Sequence, residues 1–300
     1  MYFHNTNLLG RNVTGICYAM KAFPQETDFR KREEKLGIAQ FISSKREIKR
    51  VAIKAGSVPC TWYIPENAPI DRAVFYLHGG AYVAGRKTMD YSAVQIAKAL
   101  GLRLLAVDYR LAPENPYPAA LDDAYSVYSW LRNQGAPDSN ISVLGDSAGG
   151  GLAAALIAKL RDSGEALPSS LCLFSPWLDL RCCSETYEHF TRDPFLTSSG
   201  LLRAAIQYAN SSKRVDPYIS PLLGSADGFP PTLIICGTRE LLLDDSISFS
   251  KKLSSVGAEN ELHIWRGMFH DFPIMGWILR EAGDALELAK EFIVKRMDRI

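Results

Sequence analysis

Charge of one sign is what this sequence lacks: 34 basic residues stand against 33 acidic ones, a net of +1 over 300 residues. A nucleic-acid binder ordinarily carries a basic surplus to meet phosphates, so no nucleic-acid partner is expected. Long apolar runs are missing too. No stretch reaches the roughly 18 residues that a spanning helix needs. The first residues, MYFHNTNLLGRNVTG, carry Asn and His where a signal peptide would carry an apolar run. No membrane partner and a cytoplasmic location are the expectations. The six cysteines, at 17, 60, 172, 182, 183 and 236, form no C-x-x-C pair and interleave with no histidine pattern. That argues against a metal site or a disulfide framework, and the adjacent Cys182 and Cys183 are badly placed to bridge. Free thiols fit a reducing cytosol. Internal repeats and low-complexity tracts are absent as well.

What is present is a large apolar fraction, 47%, ample for a sizeable core. REIKRVAIKAG and VPCTWYIP, from about residue 48, alternate and are rich in β-branched or aromatic residues, which predicts a strand pair. Strands and helices then take turns. RAVFYLHGG, LRLLAVDYRL, ISVLG, SLCLFSP, PTLIICG and ENELHIW are buried-strand patterns. YSAVQIAKALG, ALDDAYSVYSWLRNQG (from near Asp122) and AGGGLAAALIAKLRDSG are helical ones. Apolar strands separated by helices predict one α/β domain over 1–300, with a mostly parallel sheet covered on both faces. Working residues are then expected on loops at the carboxyl ends of the strands.

Two stretches break the pattern. Residues 25–45 are charge-rich with apolar residues at helical intervals, which predicts an amphipathic helix. Residues 180–225 mix aromatics, polar residues and Pro, as a lid inserted at a strand end would. The two segments, roughly 1–45 and 180–225, are expected to pack together as a cap.

Gly145-Asp146-Ser147-Ala148-Gly149 is a G-x-S-x-G pentapeptide between the strand ISVLG and a helix. So sharp a strand-to-helix turn needs glycine two residues either side of the serine, and it strains the Ser147 backbone and holds its hydroxyl out at the top of the sheet. The helix start aims the Ala148 N–H and a positive dipole at the same spot. A phosphate-binding turn is excluded, because Gly145, Gly149, Gly150 and Gly151 do not space as G-x-G-x-x-G and no Walker lysine follows. His78-Gly79-Gly80-Ala81-Tyr82 ends the strand RAVFYL. Consecutive glycines let amides approach a developing oxyanion, so Gly79 and Gly80 are expected to join Ala148 as its donors. His78 is expected to brace that loop.

With these motifs in place the chain resembles the hormone-sensitive-lipase-like esterases of the α/β-hydrolase fold, in their bacterial G-D-S-A-G branch. The likeness covers most of 50–300. It runs on through Tyr109-Arg110-Leu111-Ala112-Pro113-Glu114, Pro118-Ala119-Ala120, Asp123, Ser175-Pro176-Trp177, Asp216-Pro217-Tyr218 and Ser220-Pro221-Leu222. The resemblance implies a cap, no cofactor, short acyl chains, and an oxyanion hole of Gly79, Gly80 and Ala148. Ala81 departs from relatives that carry a third glycine there. Some relatives form homodimers, which leaves a homodimer open here.

A serine nucleophile needs a base. Of the five histidines, His4 is near a terminus, His189 in the insertion and His263 inside ELHIW. His270, after the last strand, stands where the fold puts its base and matches the family's G-x-x-H motif. The acid is open between two residues after PTLIICG. Glu240 occupies the position where most relatives carry aspartate, three residues after Gly237, and Asp244 is the fallback. Asp244 and Asp245 also precede a helical stretch, where their expected role is N-capping. The expected chemistry is hydrolysis of a small-molecule ester through an acyl-enzyme. Lactone, carbamate or amide hydrolysis by the same machinery, and a non-catalytic receptor of the same fold, stay as alternatives. Tyr82, with Phe195 and Leu201, is the candidate for substrate contact.

Overall fold

The computed structural model describes residues 1–6, 28–31, 48–189 and 193–297. Nine strands among them are β1 (Tyr2–His4), β2 (Ile48–Ala55), β3 (Val58–Pro65), β4 (Ala73–Leu77), β5 (Arg103–Val107), β6 (Ile141–Asp146), β7 (Ser170–Phe174), β8 (Thr232–Arg239) and β9 (Asn260–Phe269). They form one sheet in the order β1-β9-β8-β7-β6-β4-β5-β3-β2. The β2–β3 and β3–β5 pairs are antiparallel and all others parallel.

Side chains of successive strand residues point to opposite faces, and both faces here are apolar. On β4, Phe75 and Leu77 enter one core with α2 (Ala119–Asn133), α3 (Ser147–Asp162) and α6 (Leu243–Ser255). Val74 and Tyr76 enter the other, under α1 (Arg86–Leu100) and α7 (Arg280–Met297). A continuous apolar strand therefore serves both layers. The direction of winding reverses at β4, with β5 on one side and β6 on the other. A reversal of that kind opens a crevice beyond the carboxyl ends of the strands.

The insertion 180–225 carries α4 (Glu185–His189) and α5 (Ser198–Tyr208). Tyr208 packs on the loop after β4, stacking on Tyr82 with ring centroids 3.9 Å apart. Of the predicted N-terminal helix, only 28–31 fall within the described residues. Phe29 and Arg30 share a cavity of about 210 Å³ with Val83, Arg203 and Gln207, and Arg30 donates to the carbonyls of Val83 and Ala112. Two details depart from expectation. The last strand runs on to Phe269, so His270 directly follows it. β1 was not foreseen, because three residues beside a polar stretch carry no periodicity to read.

Candidate active site

The turn between β6 and α3 is as tight as the pentapeptide requires. Ser147 has φ +53°, a left-handed conformation that a side-chain-bearing residue adopts at a cost of order 1–3 kcal/mol. A Cβ on Gly145 would sit 2.2 Å from the Gly149 carbonyl oxygen, and one on Gly149 would sit 2.1 Å from the Leu77 carbonyl oxygen. Both distances are far inside van der Waals contact, so the glycines allow β4, β6 and α3 to converge. Ser147 lies at that convergence and is itself buried.

His270 comes to it from the end of β9. Its Nε2 is 3.0 Å from Ser147 Oγ, and its Nδ1 is 3.0 Å from Glu240 Oε2. The other carboxylate oxygen of Glu240 accepts the Gly237 N–H at 2.6 Å, and Glu240 is fully buried. Asp244 is elsewhere, accepting the Thr186 N–H at 2.9 Å. The capping expectation is corrected here. Leu242 occupies the N-cap of α6 and no side chain caps it. Asp245 turns inward instead and accepts the N–H groups of Leu178 and Asp179 at 2.8 and 3.0 Å. Two buried amides outbid the helix end for that carboxylate, since an unmet buried N–H is costly.

The glycine loop after β4 needs two corrections. The Gly79 N–H donates to Asp146 Oδ2 at 3.0 Å, so it is committed within the protein. Gly80 and Ala148 are left from the expected trio, and Ala148 lies in the first turn of α3, where amides have no intrahelical acceptor. Tyr82 does not offer its ring to a substrate. It is 2% exposed, stacked on Tyr208 and 6.0 Å from the Trp177 ring. Leu201 is likewise core, and Phe195 packs against Phe269. His78 braces the loop as expected. Its ring stacks on Tyr109 at 4.3 Å, and the Tyr109 hydroxyl donates to the His78 carbonyl at 2.7 Å.

The pattern of the alpha/beta hydrolase fold family matches residues 74–274. An esterase of Acinetobacter venetianus is 36% identical over 232 residues, 76% of this chain and 77% of that protein. An ethyl acetate hydrolase of Pseudomonas putida is 33% identical, covering 80% of this chain and 79% of its own length. The crystal structure of an esterase from the bacterial hormone-sensitive lipase family superposes with a TM-score of 0.90 at 32% identity, over 97% of this chain and 99% of that one. The chain belongs to the hormone-sensitive-lipase-like esterases.

In this esterase the site is crowded with acids. Burial pushes the Asp146 carboxyl up to about 7, with the charge of Asp271 adding to it. The Tyr76 hydroxyl donates to Asp146 at 2.6 Å. Burial also raises Asp193 to about 6; its carboxylate accepts the Leu241 N–H at 2.9 Å and two amides of its own turn. Burial would lower the His270 pKa, but Asp271 and then Glu240 outweigh it, and the pKa stands well above 6.5. Asp146, Asp193 and Asp271 went unremarked in sequence. Only adjacency marked two of them, Asp146 beside the nucleophile and Asp271 beside the histidine. Among the described residues no group of three His, Cys, Asp or Glu is arranged to hold a metal, and no helix is long and apolar enough to cross a membrane.

Proposed function

We propose that this carboxylic ester hydrolase cleaves small acyl esters with Ser147 as nucleophile, His270 as base and Glu240 as orienting acid. The observation that carries the reading is the unbroken line from Ser147 Oγ through both ring nitrogens of His270 to Glu240, with 3.0 Å at each link. Nε2 takes the proton of Ser147 as Oγ attacks the ester carbonyl. The amides of Gly80 and Ala148 serve as the oxyanion donors in this reading, and a donor in that role contributes about 3 kcal/mol. His270 then protonates the leaving alcohol. Water attacks the acyl-enzyme with the same base, and Ser147 recovers its proton. Glu240 holds the ring in the tautomer that presents a free Nε2 and stabilises the cation formed.

The substrate class follows the relatives. One is named an acetyl-hydrolase and one an ethyl acetate hydrolase; both names point to short acyl groups. Free Cys60, Cys172, Cys182, Cys183 and Cys236 support a reducing, cytoplasmic setting. The test is direct. A fluorophosphonate probe should label Ser147, and p-nitrophenyl esters should be hydrolysed fastest at the short end of a graded series. Faster turnover of a lactone, carbamate or amide panel would reassign the bond, and absence of labelling in folded protein would return the chain to a receptor role.

A further inference from the structure

Asp271 stands immediately after the base, with φ +56° and ψ +28°. Its N–H donates to the Ser175 hydroxyl at 3.1 Å, and Ser175 is itself buried. The left-handed turn brings the carboxylate back onto its neighbour, with Oδ2 3.0 Å from His270 Nε2. The nitrogen that faces the nucleophile therefore has a carboxylate at the same distance. Nδ1 already faces Glu240.

A neutral imidazole has one N–H and one lone pair. With a carboxylate at each nitrogen, the neutral ring would set its lone pair against a negative oxygen. The cation, a donor at both nitrogens, satisfies both, and such charge-assisted bonds are the strong ones. We propose that Asp271 is a positioning residue that holds His270 as the imidazolium in the resting enzyme and so sets the pH at which Ser147 becomes activated. The inference rests on the Ser147–His270–Glu240 reading above.

The acidic groups around His270 all push the same way. Asp271 and Glu240 act at contact, from beyond β9 and β8. Asp146, at the end of β6, and Asp193, in the cap segment, also interact with the His270 charge. Burial alone opposes the cation, and Asp271 is the largest influence overcoming it. To serve as base, Nε2 must release its proton first, so the active fraction grows only as pH rises past the raised value. The acid limb of the rate profile belongs above 6.5, on the alkaline side of an ordinary histidine.

Asp271→Asn separates this role from turn formation. Asparagine tolerates the left-handed backbone as well as aspartate does and keeps the N–H for Ser175, while removing the charge. The full chain, labelled with 15N-histidine, is titrated by NMR, with the His270 signal assigned by its loss in His270→Gln. In parallel, kcat/KM for p-nitrophenyl butyrate is followed from about pH 5 to 10, each protein scaled to its own plateau. In the wild type both midpoints should lie above 6.5. In Asp271→Asn both should move down by about one unit or more, close to a tenfold gain in relative rate on the acid limb. Coincident midpoints in the two proteins overturn the proposal, and so does a uniform loss of activity with no midpoint moved, which would make Asp271 merely structural. If His270 shifts as expected but no ester is hydrolysed, the esterase reading fails while the placement of Asp271 stands.

Discussion

Glu240 is one methylene longer than the aspartate expected at its position, and the structure has a use for the extra length. The side chain folds back so that Oε1 takes the Gly237 N–H while Oε2 reaches Nδ1 of His270. Because an orienting carboxylate fixes the tautomer, Glu240→Gln should lower kcat by up to about 10⁴. Asp244→Asn touches a Thr186 amide on α4 instead and should leave kcat within about tenfold, less than one hydrogen bond to a charged group is worth. Steady-state kinetics on one p-nitrophenyl ester decides between them, and a larger loss in the Asp244 variant would reverse the assignment. At this scale the sequence was legible wherever chemistry imposes a spacing. Ser147 and His270 stand in motifs, and Glu240 follows by position from Gly237. Tyr82 and Gly79 were misread because their partners, Tyr208 and Asp146, are 126 and 67 residues away, and no local pattern reports such a contact.

Between elements, the connection from β7 into the 180–225 insertion hangs on Asp245. Its carboxylate collects two buried amides, of Leu178 and Asp179, and Asp244 and Thr186 add a second tie between α6 and α4. Asp245→Ala strands both N–H groups, each costing about 1–3 kcal/mol when unmet. The variant should lose about 2 kcal/mol or more by urea unfolding, and Asp244→Ala, at a half-buried site, clearly less. Equal losses would restore the simple helix-end role. Helices and buried strands were readable here because their apolar periods are long. The two aspartates were misplaced for the opposite reason: the first-turn position of an acid says nothing about which amides lie across from it. β1 fell below any readable length, and its pairing with β9 sets Tyr2 beside His263 and His4 beside Trp265 across about 260 residues of chain, with the His4 and His263 ring nitrogens 2.9 Å apart.

For the molecule as a whole, the site lies at the carboxyl ends of the parallel strands, beyond β4, β6, β7, β8 and β9, and it has a cost that depends on pH. His270 has a raised pKa in the folded protein, so its stabilisation is complete below 6.5 and is lost as pH rises through the folded value. Asp146, raised to about 7 from 3.8, resists ionising in its buried place. Its penalty begins above 3.8 and is complete above about 7. Both groups bind protons more tightly folded than unfolded, so both make stability fall as pH rises through neutrality. His4 and His263 are lowered, chiefly by burial, and act oppositely, withdrawing stability as pH falls below 6.5. Asp146→Asn removes one titration on the alkaline side and weakens the other, since the Asp146 charge also supports the His270 cation. Between pH 6 and 8 the wild type should therefore lose at least about 1 kcal/mol more stability than the variant, the equivalent of roughly one pKa unit. Urea midpoints taken across that range measure the difference. Parallel curves would mean that the acids around Ser147 carry no such burden, and that burial there is better compensated than the bonds to Tyr76 and Gly79 account for.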